Sequence, residues 1–300
     1  MNFPKVSYIL CVYNGENTLR TCIQSLLSQQ KIELELIIIN DGSKDQSAHI
    51  IESFAEINVC IQVLTQKNRG LAYSRNVGIE KATGEYIASA AQDDVYLPTK
   101  SSEQIRYMQE KNLDFSFTNI QTIDELGKSI QFRSMSDYNK QLLPWPISLI
   151  QIALFQPVCS PTLLCKRNCF RKIRWNEGLL SASDLQHTLK LFLHFRGGKV
   201  PKKLLQRRIR LAEHGATFKP FLGKDFLKFE RRVAIVSAFL SFFGTSLNSR
   251  LFGRYILVLH SILSLEHSVH KGKLFQTLAS LYKTYQFTPA ANRMVYLGKN

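Results

Sequence analysis

Short apolar runs alternate with amphipathic segments along the first hundred residues of this 300-residue chain. Four runs have the length of a buried strand: Val6–Val12, Leu34–Ile39, Val59–Leu64 and Glu85–Ala91. Between them, apolar residues recur every three or four positions, which is typical of helices that pack one face against a sheet. Strands that alternate with helices in this way predict a doubly wound, mostly parallel α/β sheet flanked by helices.

Polar turns follow the carboxyl ends of these four strands. They are Tyr13-Asn14, Asp41-Gly42-Ser43, Asn68-Arg69-Gly70 and Asp93-Asp94. The carboxyl ends of parallel strands lie along one edge of a sheet, and ligands bind at that edge. We therefore expect the four turns to gather at one site. The first turn lacks the G-x-G-x-x-G pattern of dinucleotide-binding proteins, and the chain contains no P-loop.

Asp93 and Asp94 are adjacent carboxylates between the fourth strand and Pro98, which we expect in the first turn of the next helix. Two carboxylates at this place suit a hard divalent cation and, through it, a phosphate-bearing ligand. The alternative is a polar turn in which an aspartate caps the helix. The pair by itself favours that alternative, and the other three turns favour the ligand site.

Beyond the fourth strand the pattern is less regular. It predicts a strand at Asp114–Asn119, a hairpin at Gln121–Arg133 and a proline-rich stretch, Leu142–Pro161, that frames a pocket. A helix that begins near Asp184 is expected to end at Gly197-Gly198. From Phe226 onward the apolar spacing is helical.

The charge of the chain is strongly basic and uneven. The formal net charge is +16, and the stretch Pro201–Asn300 contains 17 Lys and Arg against 4 Asp and Glu, which accounts for +13 of it. Such a balance fits a partner that is anionic: a lipid surface, a nucleic acid or a phosphorylated substrate. The hydrophobic fraction of 45% is ordinary for a soluble globular protein.

Cysteine usage and terminal patterns indicate a cytoplasmic protein. The six cysteines show no C-x-x-C spacing and several lie in apolar runs, so we expect buried free thiols in a reducing compartment. The first residues lack the pattern of a signal peptide. The uncharged run Leu142–Cys165 is long enough to span a bilayer, but its four prolines argue against a continuous helix.

The four turns, in this order and spacing, resemble glycosyltransferase family 2, which has the GT-A fold. The residues that carry the resemblance are Val6–Glu16, Asn40-Asp41-Gly42-Ser43-Lys44-Asp45, Asn68–Gly78 and Gly84–Ala88. The resemblance is close over residues 5 to 100 and thinner to about Thr217. It implies a nucleotide-binding half at about 1–100, an acceptor half at about 101–220, and a basic helical region at 221–300.

The family resemblance implies a nucleotide-sugar donor, usually a uridine diphosphate sugar, and a divalent metal, Mn²⁺ or Mg²⁺. Tyr13 matches a position against the base, Asp41 the carboxylate that accepts from the base, and Arg75 a cation near the nucleotide. Asp93 matches a metal-binding carboxylate. The donor site so implied comprises Val12, Tyr13, Glu16, Asp41, Arg75, Asp93 and Asp94. Taken singly, packing, capping and solvated charge explain these residues as well.

Two further residues are matched on the acceptor side. Asp184 matches the family's catalytic base, which takes the proton of the acceptor hydroxyl. A first-turn helix acid is the alternative for Asp184. His214 matches a late histidine that completes the metal site, and a surface histidine is the alternative.

The chain departs from the family pattern at two positions. Ala91 stands where the first acid of the Asp-x-Asp-Asp motif is usual, and Ser183 stands where a glutamate usually precedes the base. The prediction is a metal-dependent, inverting glycosyltransferase with a glycan or lipid-linked acceptor in surface polysaccharide synthesis. These departures favour a rival, a degenerate relative that binds nucleotide or a partner protein without turnover.

The basic C-terminal region has two interpretations, a solvated helical cap or a patch that contacts the inner face of the membrane. A nucleic-acid-binding role is a second rival function. No nucleic-acid-binding motif supports it, and the acidic sheet edge repels phosphate in the absence of a metal, so we expect no nucleic acid partner.

Overall fold

The computed structural model describes residues 3–131, 138–144, 147–155, 157–179 and 182–209, together with Ile235 and Ala238. The strands are β1 (Lys5–Val12), β2 (Glu33–Asn40), β3 (Ile61–Thr65), β4 (Tyr86–Ala91), β5 (Val95–Tyr96), β6 (Phe115–Ile123), β7 (Leu164–Lys166) and β8 (Gly197–Arg208). The helices are α1 (Glu16–Leu27), α2 (Ser47–Ala55), α3 (Leu71–Lys81), α4 (Lys100–Lys111), α5 (Ile147–Phe155), α6 (Arg167–Lys172) and α7 (Ser183–His194).

The eight strands form one sheet in the order β3-β2-β1-β4-β7-β6-β8-β5. Strands β1 to β4 are mutually parallel, with Cys11 opposite both Ile39 and Ala91. Strand β7 runs antiparallel between β4 and β6, and β5 pairs antiparallel with β8. The predicted mostly parallel sheet is confirmed, and the antiparallel pairings occur in the half of the sheet that had the weaker sequence pattern.

The sheet has an apolar layer on each face because side chains alternate along each strand. Ile9 and Cys11 of β1 belong to the layer that α3, α5 and α7 cover. Tyr8 and Leu10 belong to the opposite layer, under α1, α2 and α4. Strand β1 lies between the two layers and is buried on both faces. Its sequence is therefore apolar at nearly every position.

Two predicted boundaries are wrong. Helix α7 ends at His194, and Gly197-Gly198 open strand β8 instead of terminating the helix. A Cβ atom at Gly197 would lie 2.0 Å from the ring of Phe115, so the glycine is required by the close approach of β8 to β6. Pro98 lies in a turn ahead of α4, which begins at Lys100, and its carbonyl accepts the Gln30 N–H.

The proline-rich stretch contains a helix that the sequence pattern left open. Helix α5 lies between the prolines, and a 3₁₀ turn at Ser160–Thr162 leads into β7. Strand β6 runs four residues beyond its predicted end at Asn119 and turns at Asp124–Lys128, where the Asp124 carboxylate accepts two backbone N–H groups. All six cysteines are free thiols, and five of them are buried, as predicted.

The described part of the chain contains no helix that is long and apolar enough to cross a membrane. The predicted helical region at 221–300 and the domain boundary near 220 lie outside the described residues, except for Ile235 and Ala238. Those two are buried in the layer that also contains α5 and α7.

Lys100 is a fully buried lysine at the start of α4. Its Nζ lies 5.6 Å from the ring centroid of Tyr8 and 5.8 Å from that of Tyr96, and no described residue hydrogen-bonds to it. Burial lowers the pKa of Lys100 from 10.5 to about 7. The folded state therefore binds this proton less tightly than the unfolded state, so its contribution to stability improves as pH rises from about 7 to about 10.

We predict that Lys100→Met stabilises the fold, by up to about 5 kcal/mol at pH 6, because the variant removes the cost of burying the charge. The gain shrinks as pH rises above about 7 and is lost above pH 10.5, where the wild-type lysine is neutral in both states. Urea denaturation at pH 6, 8 and 10 measures both effects. Lys111→Met, an exposed lysine on the same helix, controls for the change in net charge. A pH-independent difference, or a destabilised variant, would contradict the prediction.

Candidate active site

The first two turns are tied to each other by reciprocal hydrogen bonds. The Asn14 N–H donates to the Ser43 hydroxyl at 3.2 Å, and the Lys44 N–H donates to the Asn14 side chain at 2.8 Å. Asn14 has a φ of 49°, in the left-handed region that asparagine tolerates. This pairing holds the neighbouring Tyr13 at the sheet edge, where its side chain is 44% exposed.

Glu16, predicted in the donor site, joins the same cross-link. Its carboxylate accepts the Gln46 N–H at 2.9 Å, while the Glu16 N–H donates to Asp45 at 3.0 Å. Burial acts to raise the pKa of Asp45, but the hydrogen bonds from Ser47 and Glu16 outweigh it and lower the pKa. Glu16 thus fixes the start of α2 relative to α1 and, with it, the position of these turns.

Asp41 is buried at the end of β2, and its carboxylate is held by three donors. Oδ1 accepts the Gln66 side-chain N–H at 2.8 Å and the Arg69 N–H at 2.9 Å, and Oδ2 accepts the Gly70 N–H at 2.9 Å. A carboxylate has about four acceptor positions, so Oδ2 has one that no hydrogen bond between described residues fills. The Asp41 N–H donates to the carbonyl of Val12, which is how Val12 contributes to this edge.

Asp93 and Asp94 follow β4 as predicted, but they differ in environment. Asp94 is 2% exposed and accepts the Arg208 N–H at 3.1 Å. Burial, and then the charge of Asp93, raise the pKa of Asp94 well above its usual range. Asp93 is half-buried, and its carbonyl accepts from Arg208 Nε at 3.1 Å. Asp93 is therefore the accessible carboxylate of the pair, and Asp94 is a buried supporting group.

Arg207 and Arg208 on β8 are site residues that the sequence analysis missed. Arg208 Nη1 also donates to the carbonyls of Asp124 and Glu125, so this side chain ties the Asp93 turn to the turn after β6. Arg207 lies over the ring of Tyr138 at 5.1 Å, and its charge acts on both Asp93 and Asp94. The sequence showed only a basic extended segment here, because strand pairing across more than a hundred residues is not visible in local spacing.

Asp184, the predicted base, forms a buried ion pair with Arg75. Arg75 Nη1 donates to Asp184 Oδ1, and Trp175 Nε1 donates to the same oxygen at 3.0 Å. Arg75 is 4% exposed, whereas the side chain of Asp184 is 33% exposed. Burial acts to raise the pKa of Asp184, but Arg75 and then Trp175 outweigh it and lower the pKa. Asp184 is thus a carboxylate at neutral pH, and the hydrogen bonds between described residues engage only its Oδ1.

Trp175 is held in place by Asn76 and by a stack of rings. Asn76 accepts the Trp175 N–H at 3.0 Å and donates to the Trp175 carbonyl at 2.9 Å. The indole stacks on His187 with ring centroids 3.9 Å apart, and on Phe170 at 5.2 Å. Helix α3 therefore supplies both the Arg75 that pairs with Asp184 and the Asn76 that fixes Trp175.

Helix α3 links the Asp41 turn to the Arg75–Asp184 pair. The Gly70 N–H donates to Asp41 Oδ2 at 2.9 Å, and Gly70 directly precedes the helix that carries Arg75. Besides burial, which raises both pKa values, the charges of Arg75 and Asp41 act on the pKa of the Cys11 thiol, and those of Arg207 and Asp184 act on the pKa of Tyr138. His214 lies outside the described residues.

A divalent metal would have few protein ligands here. Within the described residues there is no group of three or more His, Cys, Asp and Glu that could hold a metal ion. Asp93 supplies one accessible carboxylate, and Ala91 supplies none where an acid is usual. These residues fit Mg²⁺ or Mn²⁺ if phosphate oxygens of the ligand and water supply the remaining contacts to the metal. Mg²⁺ commonly binds in this way, through one or two carboxylates.

The fold is that of the GT-A class of glycosyltransferases. The crystal structure of S. aureus TarS in complex with UDP superposes with a TM-score of 0.61 at 21% identity, covering 79% of this chain and 65% of that one. The complex of TarS with UDP-GlcNAc gives a TM-score of 0.64 at 22% identity. Likeness at this level of identity establishes the architecture.

The sequence places the chain within that class. The model of glycosyl transferase family 2 matches residues 7–192, and the chain belongs to this family of glycosyltransferases. An uncharacterized glycosyltransferase of Rickettsia bellii is 33% identical over 206 residues, which cover 69% of this chain and 29% of that protein. The putative glycosyltransferase EpsH of Bacillus subtilis is 42% identical over 106 residues, 35% of this chain and 31% of EpsH. The matched segment spans about a third of the length of these relatives.

We predict that the indole N–H resonance of Trp175 does not titrate between pH 8 and pH 5, because the lowered pKa of Asp184 keeps its partner ionised in this range. Asp184→Ala shifts that resonance upfield, since the hydrogen bond to the carboxylate is lost. ¹⁵N-labelled tryptophan gives two indole peaks, and Trp145 is the internal reference. Trp175→Phe assigns the peak. A titration with a midpoint above pH 5 would show that Asp184 is not held by this pair.

Proposed function

We propose that this protein transfers a sugar from a uridine diphosphate sugar to a hydroxyl group of a glycan or glycolipid, with inversion at the anomeric carbon. The observation that carries the proposal is the ionised, partly exposed Asp184, paired with Arg75 of the helix that begins at the Asp41 turn. A base and a nucleotide-binding edge at one site are the two parts that a single displacement requires.

The donor is proposed to bind with its base between Tyr13 and Asp41. The free position on Asp41 Oδ2 suits the N–H of uracil, and the exposed ring of Tyr13 offers a face for stacking. Arg69 lies 3.6 Å from the ring centroid of Tyr73 and gives this edge a fixed positive charge. The TarS structures that share this fold bind UDP and UDP-GlcNAc, which supports a uridine nucleotide as the first donor to test.

Asp184 is proposed to take the proton of the acceptor hydroxyl through Oδ2. Because Arg75 and Trp175 both occupy Oδ1, the carboxylate cannot rotate without losing two hydrogen bonds, so Oδ2 keeps one orientation. As the proton moves to Oδ2, the acceptor oxygen bonds to the anomeric carbon. The bond from that carbon to the diphosphate oxygen breaks, and the nucleoside diphosphate leaves with the electron pair.

Asp93 is proposed to hold a divalent metal together with the diphosphate. Members of this family generally use such a metal, and when bound it offsets the negative charge of the leaving group. Arg208 orients the backbone of Asp93 from the opposite strand, and Arg207 supplies a positive charge beside the same turn. His214 remains a proposed further ligand outside the described residues.

The finer terms of the function are also proposals. A hexose or N-acetylhexosamine as the transferred sugar, a role in surface polysaccharide or lipopolysaccharide, and peripheral contact with the inner face of the membrane follow from the family and from the basic residues after Pro201. The alternative is a degenerate relative that binds nucleotide without turnover. Ala91 and the burial of Asp94 favour it, because Asp93 is left as the accessible carboxylate.

We predict that Asp93→Asn weakens metal-dependent binding of UDP by at least tenfold, because the variant removes the accessible carboxylate while keeping the size of the side chain. Calorimetry with UDP, with and without Mn²⁺, measures the effect. Glu110→Gln, an exposed carboxylate on α4, is the matched control. Equal affinity of Asp93→Asn and wild type, with and without Mn²⁺, would remove Asp93 from the site.

We predict that Asp184→Asn binds UDP as the wild type does and releases UDP from its donor sugar at least a hundredfold more slowly, because an amide cannot accept the proton. Release is measured over a panel of UDP-sugars that includes UDP-GlcNAc. Thermal unfolding of the variant separates the loss of a base from the loss of the Arg75 ion pair. Turnover within threefold of the wild type would exclude Asp184 as the base.

A further inference from the structure

Gln92 makes a contact that extends the pairing of β1 with β4. The register of these parallel strands ends with Cys11 opposite Ala91. One residue further along, the Gln92 side chain takes over: its Oε1 accepts the Tyr13 N–H at 2.9 Å, and its Nε2 donates to the Tyr13 carbonyl at 3.0 Å. The side-chain amide thus satisfies both backbone groups of Tyr13, as a neighbouring strand would.

Gly15 makes room for this side chain. A Cβ atom at Gly15 would lie 2.7 Å from Cδ of Gln92 and 2.8 Å from its Oε1. The φ of Gly15 is −112°, which any residue adopts, so the backbone conformation does not require a glycine here. The glycine is required because a larger residue would collide with the Gln92 side chain. Gly15 is in turn fixed by its N–H bond to the Ser47 hydroxyl at 2.8 Å.

We propose that Gln92 is a positioning residue of the donor site, which acts by fixing the backbone of Tyr13 so that the exposed ring faces the base of the nucleotide. The inference rests on the proposed function. The amide is suited to this role in two ways: it both donates and accepts, and it adds no charge next to Asp93 and Asp94. A glutamate of the same shape presents acceptors only and cannot satisfy the Tyr13 carbonyl.

The test compares Gln92→Met, which keeps the length of the side chain but has no amide, with wild type in two measurements. Amide hydrogen exchange of the segment that contains Tyr13 reports on the hydrogen bond from the Tyr13 N–H without any ligand, and calorimetry measures the affinity for UDP. Gln24→Met, at an exposed glutamine on α1, is the matched control. We expect exchange of the Tyr13 amide to be at least tenfold faster in Gln92→Met and the Kd for UDP to rise about tenfold, with Gln24→Met unchanged in both.

A double-mutant cycle adds a readout that general destabilisation would not reproduce. Gly15→Ala weakens UDP binding in the wild-type background because the new methyl group displaces Gln92. In the Gln92→Ala background the same change has no further effect, since the side chain that it displaces is absent.

Three results would overturn the inference. Unchanged exchange of Tyr13 in Gln92→Met would show that the Gln92–Tyr13 hydrogen bonds do not form in solution. Faster exchange with unchanged UDP affinity would show that the Gln92–Tyr13 hydrogen bonds form but do not contribute to the donor site. Wild-type protein that shows the protected Tyr13 amide but binds no UDP would refute the proposed function and, with it, the role of Gln92 in donor binding.

Discussion

The buried ion pair between Arg75 and Asp184 joins the two halves of the site. Arg75 lies on α3, in the first, parallel half of the sheet, and Asp184 lies in the first turn of α7, in the second half. Removal of one partner from a buried pair costs about 3–5 kcal/mol, and the partial exposure of Asp184 places this pair at the lower end. The same contact that connects the halves also keeps the candidate base ionised and engages Oδ1, so that Oδ2 has no hydrogen bond to a described residue.

The carboxyl edge of the sheet shows how stability and function share residues. Asn14, Glu16 and Asp41 bind backbone N–H groups of neighbouring turns, and these bonds fix the loops that present Tyr13 and Asp93. Polar groups in such turns must be paired when they are buried, so the pairing that satisfies them also shapes the binding surface. Substitutions at this edge will therefore change stability and ligand affinity together, which is why matched and conservative variants are needed.

The sequence predicted the elements whose signal is local. Apolar runs of strand length and polar turns after them were enough to place β1 to β4 and the edge that carries Asp41 and Asp93. Contacts between distant residues were not predictable in the same way: Arg75 and Asp184 are 109 positions apart, and Tyr13 and Gln92 are 79 apart. Gly197 was misread as a helix terminator because the Phe115 ring that it accommodates lies on another strand.

The family resemblance assigned roles to single residues, and the structure adds the partners of those residues. Asp94 is buried against Arg208, whereas Asp93 is accessible, a difference that two adjacent identical letters do not show. Trp175 was not predicted as a site residue and Asn76 appeared only within the matched stretch Asn68–Gly78, yet together with Arg75 they fix the position of Asp184.

We infer that one sheet edge holds the nucleotide near a fixed, ionised Asp184, and a crystal structure of the protein with UDP and Mn²⁺ would test this arrangement. We expect uracil against Tyr13 with its N–H on Asp41 Oδ2, the diphosphate beside Asp93, and the Arg75–Asp184 pair intact. UDP bound away from Asp41 and Asp93, or a complex in which Arg75 leaves Asp184 for the phosphates, would show that the arrangement is wrong.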